Sequence, residues 1–262
     1  MVYQGLTMSE LNPSPRSSVF TTMRFSQERG LFLFDDHLAR MLEHAAKLRI
    51  DESNINRKSF VELLQTNPPQ ISEGLVRIEC AKDTELRVAY RPFTIQNEAI
   101  DAITVPSPIW PPRVAGTKHG AWGAYIEARN YAEQKGGDLA LMVHDYSIVD
   151  GDRCTPLVLD EDGVVWVSHA NSSVFSITLS AIHDSILEAG FHIQQGKLNE
   201  RLVARCVEAI AVGSGVGVLK IDSIDNEPVG DGSTRLFDVC VGILDDGYRN
   251  PDNWEEVWSH VA

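Results

Sequence analysis

The chain has 262 residues, 43% hydrophobic and 23% charged, a globular balance with room for one large domain or two smaller ones. Its formal net charge of −14, without a Lys/Arg block, argues against nucleic acid and anionic membrane as partners. Cys80, Cys154, Cys206 and Cys240 stand far apart with no CxxC or Cys/His ligand spacing, which argues against a zinc site and a disulfide framework and for reduced thiols in a cytoplasmic setting. No run approaches the ~18 apolar residues of a membrane span, and the N-terminus lacks a signal-peptide pattern.

In chain order, SSVFTTMRFSQERGLFLFDD reads as two β-rich runs around a polar turn at Ser26–Gly30. Asp36 then stands as a helix N-cap before HLARMLEHAAKLRI, where Leu38, Met41, Leu42, Ala45 and Leu48 recur at helical spacing. Strands are predicted at 75–80, 85–90 and 102–105. The segment VPSPIWPPRVAG holds four of the chain's 12 prolines and reads as an irregular connector, since proline fixes φ and removes a donor. That gives an expected division into an N-terminal α+β domain (1–107), a connector (108–116) and a C-terminal domain (117–262). A helix follows Lys118, then strands at 139–144, 157–159 and 164–168. SITLSAIHDSILEAG forms a helix with Leu179, Ile182 and Ile186 on one face and Gly190 as its stop. A short helix near 199–207, the run AIAVGSGVGVLKID and a last helical stretch at 233–244 complete the pattern.

Some motifs point away from chemistry. GSGVG at 213–217 has a dinucleotide-loop look, but that fingerprint requires a helix immediately after it, and Val218-Leu219-Lys220-Ile221 reads as strand. His119 and His144 read as surface or packed histidines rather than general bases. Lys118 stands among small residues at the mouth of a helix. A lysine that does covalent chemistry needs a neutral amine on a rigid support; otherwise Lys118 is a solvated surface cation.

The order SSVFTTMRF, DDHLARMLEHAAKL, TKH, GGDLALMV, IVDG, SIT and VGSGVGV resembles the class IV aminotransferases, the fold-type IV pyridoxal-phosphate (PLP) enzymes. These include branched-chain and D-amino-acid aminotransferases and aminodeoxychorismate lyases; FTTMRF and the Lys-His pair look most like the lyase branch. The resemblance implies a two-domain α+β fold with a barrel-like C-terminal sheet, PLP between the domains, and a homodimer. It implies that Lys118 bonds the cofactor and moves the substrate Cα proton. Arg40, of HLAR, would grip the phosphate with its forked guanidinium. Ser176, Ile177 and Thr178 would offer a helix N-terminus to the same anion, and Ser214 and Gly215 a second phosphate loop. Val174 would lie against the cofactor ring, and Asp150 would pair with the pyridine nitrogen.

Departures from the family pattern cluster beyond the cofactor. Asp150 replaces a glutamate and is one methylene shorter. The stretch 152–156 reads Asp-Arg-Cys-Thr-Pro where the family has glycine, serine and asparagine, and Leu179 replaces an arginine. Arg153 could bind a substrate carboxylate or pair with Asp150 or Asp152. Three functions therefore stand from sequence: amino transfer between an amino acid and a 2-oxo acid, a lyase that eliminates pyruvate from 4-amino-4-deoxychorismate, and a family member that has lost catalysis and serves as a binding protein.

Overall fold

A computed structural model describes residues 13–94, 98–169, 171 and 173–258. The chain opens with β1 (Ser18–Ser26), a tight turn, and β2 (Gly30–Phe32), paired antiparallel from Ser26↔Gly30. Helix α1 (Phe34–Leu48) follows at once. Its N-cap is Leu33 in a left-handed conformation, not Asp36, which lies with Asp35 in the first turn. The two carboxylates there face the positive end of the helix dipole, so their acidity serves the helix start from inside it. Helix α2 (Arg57–Thr66) lies outside the sequence expectation, although Asn56 caps it by accepting from the Ser59 amide and Phe60 and Leu64 mark its buried face. Strands β3 (Glu73–Ala81) and β4 (Leu86–Arg91) complete a five-stranded sheet of order β15-β2-β1-β3-β4, whose edge β15 (Trp254–Glu255) returns from the far end of the chain.

Strand alternation gives this sheet two faces. Val19, Met23 and Phe25 of β1 join Val76, Ile78 and Cys80 of β3 against Met41, Ala45 and Leu48 of α1 and Phe60 and Leu64 of α2. Phe20, Thr22, Arg77, Ala89 and Arg91 lie on the opposite face, along a cavity.

From β5 (Ile100–Pro106) through β14 the strands belong to a second, ten-stranded sheet. Its other members are β6 (Leu139–His144), β7 (Ser147–Gly151), β8 (Thr155–Leu159), β9 (Val164–Ser168), β10 (His192–Gly196), β11 (Leu198–Asn199), β12 (Glu208–Gly213), β13 (Gly217–Ile224) and β14 (Glu227–Pro228). The order is β10-β9-β8-β12-β13-β5-β6-β7-β11, with β14 beside β13. β7 and β11 also lie against β9, so the sheet is a nearly closed barrel. Membership thus changes between β4 and β5, ahead of the proline-rich segment; β5 pairs with β6 and β13 although it precedes residue 107.

Strands β7, β8 and β12 are buried on both faces, which is why AIAVG of β12 reads as a continuous apolar run. Ala209 and Ala211 point inward with Ala102, Leu139, Val158 and Leu219, where small side chains let the wall close. Ile210, Val212, Leu157, Leu159 and Val218 point outward, under α4 (Ile177–Glu188) and α6 (Arg235–Arg249). Helix α3 (Gly123–Gln134) covers β5 and β6. The expected short helix is a single turn, α5 (Glu200–Val203), because the following residues enter β12. β12 and β13 form a hairpin through 213–217, so GSGVG precedes a strand. All four cysteines are buried and free. No described helix is long and apolar enough to cross a membrane.

The start of α6 has no side-chain cap of its own. Glu208, 1% exposed on β12, supplies it by accepting from the amides of Leu236 (2.9 Å) and Phe237 (2.7 Å). Hydrogen bonds to an ionised group contribute ~1.5–3 kcal/mol. Glu208→Ala should therefore cost about 2–3 kcal/mol in equilibrium denaturation, and Glu208→Gln less, because one acceptor survives; an unchanged denaturation midpoint in Glu208→Ala would contradict this cap.

Candidate active site

The face of the first sheet that α1 and α2 leave open meets the mouth of the barrel around a cavity of about 280 Å³. Lys118, Asp150, Arg40, Val174, Ser176, Ile177, Thr178, Ser214, Gly215 and Arg153 all line it. The sequence spreads these residues from position 40 to position 215, and the fold gathers them on one surface.

Lys118 sits in an extended segment docked on β1: Phe20 donates its amide to the Lys118 carbonyl (3.2 Å), and Val19 pairs with His119 as an isolated bridge. The Lys118 amide donates to Nδ1 of His44 on α1 (3.1 Å). The lysine is thus held at both its backbone polar groups, five residues before α3 begins. Its ammonium lies 4.8 Å from the Trp122 ring centre and 5.3 Å from that of Phe20. Burial and the positive charge of Arg40 pull its pKa down to about 7, with Arg77 and Arg91 adding to the fall and Asp150 opposing it. A neutral amine is therefore accessible near neutral pH.

Asp150 lies on β7. The β6–β7 register slips there: Met142 faces Asp150 but Val143 faces Ile148, leaving Val149 as an extra residue. Such a bulge re-aims side chains. The carboxylate, 6% exposed, accepts from the amides of Gly151 and Val174, both at 3.0 Å. Burial raises its pKa to about 7 against the lowering effect of those two amides and of Lys118. The bond to Val174 fixes the valine against the acid, where both border the cavity.

Arg40 is 7% exposed and donates from Nη1 to the Phe175 carbonyl (3.0 Å) and from Nη2 to the Thr21 hydroxyl (3.2 Å). Both acceptors are neutral, and among the described residues no carboxylate pairs with it. Burial draws its pKa down to about 10. Opposite, Ser176 caps α4 by accepting from the Leu179 amide (3.2 Å), and the amides of Ile177 and Thr178 stand at the helix start without an intrahelical acceptor. The hydroxyls of Thr178 and Ser214 lie 3.3 Å apart, tying that helix end to the β12–β13 turn. A Cβ on Gly215 would come within 3.3 Å of the Arg91 guanidinium, so glycine keeps this turn open to the cavity.

The other side of the cavity carries guanidinium groups that sequence reading missed, save Arg153. Asp152, 1% exposed, accepts from Nε of Arg129 (2.6 Å) and Nη1 of Arg153 (2.7 Å). Arg153 also donates to the Asp138 carbonyl (2.7 Å). Arg77 pairs with Glu79 (2.7 Å), while Arg91 has no side-chain hydrogen bond or ion pair among the described residues. Burial lowers the Arg91 pKa, and the charges of Arg129, Arg153 and Arg77 lower it further. The period-2 alternation that puts Arg77, Ala89 and Arg91 on one face was the available signal. Nothing in the sequence alone showed which face met the barrel. Of the two histidines, His144 ends β6 exposed, and His119 is buried between Trp110 and Trp122.

A model of the amino-transferase class IV family matches residues 18–224. The chain belongs to this family. Its members are PLP-dependent aminotransferases and lyases, and this chain is an enzyme of that kind. Among solved structures, a candidate 4-amino-4-deoxychorismate lyase is 21% identical with a TM-score of 0.74, covering 93% of this chain and 95% of its own. A second candidate 4-amino-4-deoxychorismate lyase, from Legionella pneumophila, is 14% identical at a TM-score of 0.76, covering 92% and 98%. The branched-chain amino acid aminotransferase from Escherichia coli is 18% identical at a TM-score of 0.74, covering 93% and 88%. These likenesses establish the fold-type IV architecture. No curated protein sequence matches the chain.

The depressed Lys118 pKa gives a sign to test. Between about 7 and the ordinary 10.5 the unfolded chain holds a proton on this lysine that the folded protein has released. The lysine's contribution to stability therefore rises with pH across that window. The difference in unfolding free energy, wild type minus Lys118→Met, should climb over it. A flat difference would mean that the amine is not desolvated.

Proposed function

We propose that this enzyme binds PLP in the cavity and moves an amino group between an amino acid and a 2-oxo acid. The observation that carries the reading is the meeting of a lysine titrating near 7, a buried acid and a buried uncompensated arginine on one cavity wall. The residues fit the cofactor by charge and position. Arg40, the free amides at the start of α4, and Ser214 and Gly215 suit a phosphate dianion. Lys118 suits an aldehyde carbon. Asp150 keeps lone pairs free beyond its two backbone contacts and suits a protonated ring nitrogen.

Bound PLP supplies an electron sink for the bonds at substrate Cα. This chain's residues do the rest. Lys118 would take and return the proton at Cα, a task for which a pKa near 7 is matched to neutral pH. Asp150 keeps the ring nitrogen protonated. Val174 lies beside that acid as an apolar surface for the ring. Arg91, Arg129 and Arg153 face the remaining space and receive the substrate carboxylate. Arg153 serves that role while anchored to Asp152, so the two alternatives left open by sequence are compatible.

A second reading is favoured by the same guanidinium wall. It carries more positive charge than one carboxylate requires, and 4-amino-4-deoxychorismate brings two. On that reading Lys118 removes the Cα proton and pyruvate leaves to give an aromatic amine. The first test is reduction of the PLP-loaded protein with borohydride and peptide mapping. The adduct should fall on the peptide containing Lys118, and an adduct on Lys135 or Lys197 would sink the assignment. Loaded enzyme is then given amino acid and 2-oxo acid pairs, or 4-amino-4-deoxychorismate. New amino acid supports the first reading, pyruvate with an aromatic amine the second, and neither leaves a binding protein.

Asp150→Asn should leave PLP bound and slow Cα proton abstraction at least ~100-fold, comparable to a lost pre-organised charge contact. Asp150→Glu should lower activity, because Asp150 is already tied at both oxygens to Gly151 and Val174 and an added methylene has to displace one of them, at ~1–3 kcal/mol. Turnover indifferent to both substitutions would show that Asp150 does not act on the cofactor.

A further inference from the structure

Helix α1 turns His37, Arg40 and His44 to the interior on one face. The Thr21 hydroxyl that accepts from Nη2 of Arg40 also lies 2.8 Å from Nδ1 of His37. Thr21 is 0% and His37 1% exposed. Chemistry fixes the direction of the first bond. A guanidinium only donates, so the Thr21 oxygen accepts from Arg40. The second contact of that hydroxyl, with Nδ1 of His37, holds the oxygen in place whichever of the two atoms carries the shared proton. Burial, with the charges of Arg40 and Lys118, holds the imidazole neutral, so it adds no charge beside the guanidinium.

We propose that Thr21 and His37 are positioning residues for Arg40, a two-member relay that aims its guanidinium at the cofactor phosphate; this rests on the PLP reading above. Nη1 is tied to the Phe175 carbonyl and Nη2 to the relay, so two points fix a planar fork whose remaining N–H groups are left for the cavity. The choice of partners matters. A carboxylate in the place of Thr21 would orient the arginine but neutralise it. A hydroxyl backed by a neutral imidazole orients it at full charge, which is what a dianionic phosphate requires. Burial removes competing water, so the relay has no solvent substitute if either member is lost.

The test compares PLP with pyridoxal, which has the same ring and aldehyde but no phosphate. Apo-protein is titrated with each, Kd is read from the visible absorbance, and melting temperature is recorded alongside. Wild type should favour PLP strongly. Thr21→Val, equal in shape but without the hydroxyl, should reduce that preference about tenfold while pyridoxal affinity stays within about twofold, the scale of one hydrogen bond to a charged group. Thr21→Ser should restore it. His37→Leu should reduce it likewise, and His37→Asn, which keeps a hydrogen-bonding group near the Nδ1 position, should recover most of it. If Thr21→Val does not fold, Thr21→Ser and the His37 pair decide. Arg40→Leu losing the preference while Thr21→Val and His37→Leu keep it would overturn the relay alone, as would an equal loss for both ligands. A wild type that binds neither ligand would overturn the cofactor reading and the relay with it.

Discussion

A positive charge buried without an acid to match it organises this site. Arg40 is almost closed to solvent, and its two bonded acceptors, a backbone carbonyl and a hydroxyl, carry no charge. Burial of an unpaired cation is costly unless something in the working protein supplies the counter-charge. Its field is felt throughout the neighbourhood. Arg40 is among the causes that lower His37, His44 (to about 3) and Lys118 (to about 7). Burial and, after it, this guanidinium keep two imidazoles neutral and help the lysine toward its neutral amine. An anion bound at Arg40 would weaken that field, so anion binding there and the basicity of Lys118 are coupled.

The second constraint runs through β7. The bulge at Val149 lets Asp150 face the cavity, while Asp152, two residues on, turns to Arg129, Arg153 and the Ala140 amide. The stretch after Asp150 thus carries a buried carboxylate that holds two arginines at the cavity edge. Asp152 also raises the pKa of Asp150, so the ion cluster that holds the two arginines bears on the acid across the cavity.

Much of this was legible in the sequence because it rests on local rules. Alternation gave β1, β3 and β4, helical spacing gave α1, α4 and the body of α6, and the strand reading of Val218–Ile221 separated GSGVG from a dinucleotide loop. Failures came where tertiary contacts replaced a local signal. Asp36 looked like a cap, but Leu33 takes a left-handed turn and its amide donates to the Asn253 carbonyl, so the helix entry is set by a contact from the far end of the chain. α2 is short, and its stability comes from Phe60 and Leu64 meeting β-sheet residues that no local window contains. The order of motifs located Lys118, Arg40 and Asp150. Arg91, Arg129 and the Thr21–His37 pair lie outside those motifs' functional positions and became visible only once sheet face and helix face were assigned.

Two helix ends illustrate how the fold separates structure from function. At α6 the first amides are filled by Glu208, a carboxylate sent from β12 into a buried position, and that end is closed. At α4 the cap is a serine hydroxyl that serves Leu179 only, so the amides of Ile177 and Thr178 remain at the cavity wall facing the region that Arg40 borders. A carboxylate like Glu208 placed there would satisfy them and add stability. It would also occupy the place of an anionic ligand. The absence of such a group beside α4 among the described residues, with Arg40 left unneutralised across from it, fits the pattern of a protein that holds local stability in reserve for the ligand it binds.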